Sequence, residues 1–91
     1  MPQYVIERTL PGAGRLSPAE LRGISQKSVS TIRELGPADI QWIQTYVTGD
    51  KLYCVYIAKN PEIIYEHARC GGFPADKVAE FKTTISPVTA E

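Results

Sequence analysis

An α+β domain with the order strand, helix, strand, strand, helix, strand is the fold class this chain predicts, and three observations carry it. Two helix starts are spelled out, Ser17-Pro18-Ala19-Glu20 and Asn60-Pro61-Glu62, each a capping side chain followed by proline at the first helical position. Two β-rich runs, Ile40 to Val47 and Leu52 to Ala58, are separated only by Thr48-Gly49-Asp50-Lys51, which has the composition of a hairpin loop. A further β-rich run stands towards each end of the chain, Tyr4 to Leu10 and Val78 to Ile85.

The first strand, Tyr4 to Leu10, alternates imperfectly and is broken by Pro11-Gly12-Ala13-Gly14. Those glycines lack the Lys-Ser/Thr of a P-loop and the third glycine of a dinucleotide fingerprint, so they read as a turn rather than a phosphate cradle. The first helix opens with a capping box, in which the Ser17 hydroxyl and the Glu20 carboxylate each take the other's backbone amide. Leu21, Ile24, Ser28, Ile32 and Leu35 recur at three- and four-residue steps, and Gly36-Pro37 ends a helix of about five turns with one packed face. The two middle strands are expected to be antiparallel neighbours. Asn60 caps the second helix, which Gly71-Gly72 stops after about three turns. Val78 to Ile85 is the last strand, and Ser86 to Glu91 is a polar tail.

This order is the split β-α-β arrangement called ferredoxin-like, a four-stranded antiparallel sheet with both helices on one face. It assigns residues 1–91 to one domain with a core spanning about 3–86. No strand is cleanly polar on either side, because Trp42, Tyr46, Cys54 and Tyr56 must be shared between the two faces. An uncovered apolar face calls for a partner surface or a pocket, and pairing two such faces gives a dimeric α/β barrel.

Bulk composition excludes several classes. Ten basic residues balance ten acidic ones with no like-charge run longer than two, so there is no electrostatic footprint for nucleic acid or an anionic membrane. No apolar stretch approaches the ~20 residues of a membrane span, and the opening Met-Pro-Gln-Tyr-Val-Ile-Glu-Arg is charged where a signal peptide is apolar. The expected address is the cytoplasm. Cys54 and Cys70, sixteen positions apart, suit reduced thiols and form no zinc-ribbon or thioredoxin-like spacing. A chain of this length buries only about 60 to 65% of its unfolded surface, which favours association with a second copy.

The chain's one histidine, His67, shares a helix flank with Ile63, Ile64 and Ala68, while Glu62, Glu66 and Arg69 share another. An imidazole so placed either bonds a backbone carbonyl, its commoner role, or ligates a borderline metal such as nickel, copper or zinc. Glu7 stands amid Val5, Ile6 and Leu10, facing solvent or held on the sheet as a base or ligand. Cys54 and Tyr56 alternate with Val55 and Ile57; the latter make the better helix-packing pair, which directs Cys54 and Tyr56 to the open face. Trp42 and Tyr46 share a face unless the register slips.

Tyr4-Val5-Ile6-Glu7-Arg8 with Pro11-Gly12, Ser25-Gln26-Lys27-Ser28, Trp42-Ile43-Gln44-Thr45-Tyr46-Val47, Tyr53-Cys54-Val55-Tyr56 and Glu66-His67-Ala68 with Gly71-Gly72-Phe73-Pro74 together resemble a known family. These are small bacterial proteins of unknown function named after a nickel-binding, ferredoxin-like member from an actinomycete. The resemblance runs from Tyr4 to about Ile85. It implies a ferredoxin-like homodimer with nickel near the subunit boundary, and it assigns no ligand residue by residue. The leading expectation is therefore a non-catalytic, cytoplasmic, homodimeric nickel-binding protein with His67 as imidazole ligand and Glu7, Glu66 or Cys54 as partners. The alternative is a dimeric-barrel enzyme or ligand-binding protein whose pocket on the open face is lined by Trp42, Tyr46 and Tyr56.

Overall fold

Both helices begin as their caps dictate. The computed structural model describes residues 1–91. In it the Ser17 hydroxyl accepts from the Glu20 amide at 3.1 Å and the Glu20 carboxylate accepts from the Ser17 amide at 3.0 Å. Helix α1 then runs Pro18–Leu35 and stops at Gly36, whose φ of 118° suits only glycine. The Asn60 side chain accepts from the Ile63 amide at 3.1 Å, and α2 spans Pro61–Gly71.

Four strands, β1 Gln3–Thr9, β2 Ile40–Val47, β3 Lys51–Ala58 and β4 Lys77–Phe81, form one antiparallel sheet in the order β2-β3-β1-β4. This is the ferredoxin-like arrangement the sequence predicts. The last strand is shorter than expected because Phe81 pairs with Gln3, where β1 begins, so nothing is left for residues 82–85 to bond. The end of the tail forms a 3-10 turn, Pro87–Ala90.

The Pro11–Gly14 loop is a structural turn. Leu10 and Gly14 donate their amides to the Asp50 and Gly49 carbonyls at 2.8 and 3.0 Å, and the Gly12 amide donates to the Asp50 carboxylate at 3.0 Å. A side chain at Gly14 would sit 3.1 Å from the Gly49 backbone, so this turn and the β2–β3 loop dock in direct contact.

One face of the sheet carries Tyr4, Ile6 and Arg8 of β1 and Leu52, Cys54, Tyr56 and Ala58 of β3, all buried; the core there is completed by Ile40 and by Ile63 and Ile64 of α2. The other face carries Val5, Glu7, Tyr53, Val55 and Ile57, which no helix covers and which are only half-buried. Cys54 and Tyr56 therefore face the helices, opposite to the expectation. Both faces of β3 are apolar, so packing preference did not decide the phase. What decides it is that Tyr56 brings its hydroxyl to the Ser28 hydroxyl of α1, 3.3 Å away, a partner the outer face lacks.

The pairing of β2 with β3 shifts by one residue between Trp42 and Gln44, leaving Ile43 as an exposed bulge. Before the bulge Trp42 pairs with Tyr56 on the helix side; after it Thr45 pairs with Cys54 on that side and Tyr46 with Tyr53 on the outside. Trp42 and Tyr46 thus lie on opposite faces, because one extra residue reverses the alternation. The Trp42 indole closes the bulge by donating to the Thr45 hydroxyl at 2.9 Å.

Candidate functional site

The two helices cover the sheet unequally. Of α1 only Ser28 and Thr31 are buried, while Leu21, Ile24 and Ser25 are half-exposed along its inner flank. The space this leaves is a cavity of about 300 Å³, walled by Leu21, Ile24, Ser25 and Ser28 of α1, by Arg8, Trp42, Thr45, Cys54 and Tyr56 of the sheet, and closed at one end by Phe73. Its walls are mostly apolar, with a few hydroxyls and one charge, the composition of a small-molecule site at the lower end of the usual size range. The pocket lies between α1 and the sheet, not on the open sheet face. Trp42 and Tyr56 line this cavity, whereas Tyr46 stands outside it, exposed.

Arg8 is the charge, and the residue is 2% exposed. Nη1 donates to the Pro74 carbonyl, and Nη2 has no partner. The guanidinium carbon lies 5.5 Å from the Phe73 ring centre and 5.9 Å from that of Tyr56, at the edge of cation–π range. Two such contacts contribute about 1 to 2 kcal/mol each at best, against a burial cost of several kcal/mol for an ion. No carboxylate pairs with Arg8: the salt bridges are Glu7–Lys51, Asp39–Lys59, Glu66–Arg69 and Glu80–Lys82. Asp76, whose carboxyl is held below its usual range, accepts from the Thr9 amide instead. An arginine cannot relieve the cost by losing its proton.

Behind this wall lies His67, fully buried. Its Nε2 is 3.2 Å from the Ser28 hydroxyl and 3.4 Å from the Ser28 carbonyl; a carbonyl only accepts, so Nε2 is assigned the proton. Nδ1 has no partner. The ring stacks on Phe73 with centres 5.8 Å apart and tilts against Tyr56 at 5.3 Å. Burial pushes its pKa below the ordinary 6.5; the Ser28 carbonyl opposes that shift and the Arg8 charge adds to it. Burial likewise raises the Tyr56 phenol, so it stays protonated at neutral pH, although Ser28 and Arg8 pull the other way.

Phe73 reaches this position because of the double glycine before it. A β-carbon at Gly71 would meet the Phe73 ring at 2.5 Å, and Gly72 takes the left-handed conformation at φ 72°, so the chain turns back over the end of α2. The Phe73 amide then bonds the Ala68 carbonyl at 2.8 Å.

The expected metal ligands are dispersed. His67 and Cys54 are on the helix side, while Glu7 is on the outer face, 3.4 Å from the Lys51 ammonium. Glu66 is on the exposed flank of α2, bonded to Arg69, with the Cys70 sulfur 3.7 Å away. No group of three His, Cys, Asp or Glu side chains converges within the chain. The imidazole neighbourhood does not fit a nickel ion, since it offers hydroxyls and a guanidinium, without a carboxylate, to a dication.

Arg8 and Phe73 are the residues that sequence reasoning passed over. The signal for Arg8 was present: it continues the Tyr4, Ile6 alternation and so shares the face of two apolar neighbours. Ser28 was likewise a polar residue in an otherwise apolar helical series.

A family model described as nickel responsive protein SCO4226-like matches residues 4–81. The crystal structure of SCO4226 from Streptomyces coelicolor A3(2) superposes with a TM-score of 0.76 at 13% sequence identity, covering 91% of this chain and 99% of that one. This likeness shows the fold. No curated protein sequence matches the chain. No helix is long and apolar enough to cross a membrane.

Proposed function

This chain belongs to the SCO4226-like family of nickel responsive proteins, and from that membership and the pocket together we propose that it is a non-catalytic binding protein for a small organic molecule held beneath α1. The observation that carries this reading is the apolar cavity of about 300 Å³ with a few hydroxyls and a single buried charge on its wall. Such a lining orients a ligand but offers little chemistry: neither a carboxylate nor the imidazole faces the space. Nickel responsiveness then describes the setting in which the protein acts. Its free thiols suit a reducing compartment, and the cytoplasm is the proposed address.

Trp42 is the chain's one tryptophan and lines the cavity, so its fluorescence reports occupancy directly. Titrating tag-free protein with small apolar compounds is expected to shift Trp42 emission and raise Tm. Ser25→Phe, which fills the cavity from a position where the hydroxyl bonds only its own helix, is expected to abolish both responses. A compound panel that moves neither signal would remove the reading.

A second reading keeps nickel as the ligand of a homodimer, the sheets pairing by their uncovered faces into an α/β barrel. It is favoured by the family and by Glu7, an expected ligand that stands on the uncovered face where a second copy would meet it. Elemental analysis after dialysis of tag-free protein against nickel decides it. Stoichiometric metal lost in Glu7→Gln supports this reading; metal-free protein ends it.

A further inference from the structure

We propose that the ligand is an organic monoacid, its apolar body filling the space under α1 and its carboxylate paired with the free edge of Arg8. This inference rests on the pocket reading above and names the class of molecule that the pocket takes. Arg8 is buried and lines the cavity, one of its two terminal nitrogens is bonded to the Pro74 carbonyl, and the other is buried without a partner. A buried cation of that kind is best compensated by an anion, and no carboxylate of the chain bonds it. Its four ion pairs are made elsewhere, and Asp76 is committed to the Thr9 amide. The counter-ion is therefore expected from outside, along the open flank of α1.

The shape of the site narrows the chemistry. Planar guanidinium and planar carboxylate match edge to edge. A dianionic phosphate would need further cationic or amide donors, and Arg8 is the sole charged residue among the twelve that line the cavity. The remaining walls, Leu21, Ile24, Trp42, Val47, Leu52 and Phe73, are apolar and ask for an aryl or alkyl body. The Tyr56 and Ser28 hydroxyls already bond one another and so discriminate less than Arg8 does.

The test compares acids with their uncharged isosteres on the intact chain. Phenylacetate and hexanoate, phenylacetamide and hexanamide, and phenyl phosphate are titrated separately against tag-free protein, with Trp42 emission and Tm as readouts. Acids are expected to bind about tenfold or more tightly than the matching amides, the range for a charge-assisted bond. In Arg8→Met, an apolar replacement of similar length, that preference is expected to vanish while amide binding persists; Arg8→Lys keeps part of it. The wild-type comparison stands even where a variant does not fold. Equal binding of acid and amide overturns the monoacid and leaves the pocket reading intact. Tighter binding of phenyl phosphate overturns the carboxylate in favour of a phosphoryl head. Silence from every compound overturns both this inference and the reading it rests on.

Discussion

Helix α1 is 18 residues long and buries two polar side chains, whereas α2 is 11 residues long and buries Ile63, Ile64, His67 and Ala68. The longer helix is the looser one. Its inner flank carries serine where α2 carries isoleucine, and a flank of Leu21, Ile24, Ser25 and Ser28 cannot fill the space above Trp42 and Tyr56. The two helices thus divide the work: α2 seals the core and holds the imidazole and Phe73 in place, while α1 roofs a cavity. A site is then expected under the poorly packed helix, since a void that stabilises nothing has room for a ligand.

Truncating an isoleucine in each helix is expected to give the largest difference between them. Ile64→Ala in α2, where the side chain is 1% exposed, is expected to cost about 2 to 5 kcal/mol in a urea melt, a large part of the total for a domain this small. Ile24→Ala in α1 is expected to cost less than about 1.5 kcal/mol, because that side chain is only partly buried and borders the cavity. Equal losses would show that α1 packs as tightly as α2.

Glycines give a contrast in sign. Gly71→Ala drives a methyl into the Phe73 ring, so a loss of about 1 to 3 kcal/mol and a change in Trp42 emission are expected. Gly23→Ala in α1 meets nothing within 4 Å and is expected to stabilise the protein by about 0.5 to 1 kcal/mol. A stabilising Gly71→Ala would mean that Phe73 is not seated as described.

Within α1 itself the two serines should differ. Ser28→Ala removes the group between Tyr56 and His67 and is expected to cost about 1 to 2 kcal/mol, whereas Ser25→Ala, which breaks only a bond to the Leu21 carbonyl, should be near neutral. Thermal melts of the two variants side by side make the measurement.

The smallest effect is in pH. His67 is held neutral in the fold with its pKa below 6.5, so the unfolded chain takes up a proton before the folded one does. Stability is whole above about pH 6.5 and falls as pH drops through the interval down to the folded value. Glu20, Glu66 and Asp76, also depressed, add their own loss only below about pH 4.5. Chemical melts from pH 8 to 5 are expected to show the first decline in the parent chain and not in His67→Gln; an identical decline in both would detach it from the imidazole.

Local chemistry determined everything that neighbours in sequence decide. The capping box at Ser17, the Asn60-Pro61 start, the hairpin loop at 48–51 and the glycine stop after α2 were readable because each is settled within a few residues, and the strand and helix order followed from them. The flank of α2 that carries His67 was equally readable, since helical spacing alone places it beside Ile63 and Ile64. What lay beyond the sequence was phase and convergence. Both faces of the sheet are apolar, so alternation could not tell inner from outer; only the seating of the helices, with Ser28 of α1 meeting the Tyr56 hydroxyl, decided that Cys54 and Tyr56 point inward. The bulge at Ile43 inserts one residue and parts Trp42 from Tyr46, which no periodicity in an eight-residue strand announces. The union of Arg8 with Phe73 joins groups 65 positions apart, and the unfilled space beside them exists only because α1 and the sheet meet without enough side chain between them; packing, which depends on the whole chain at once, made that decision.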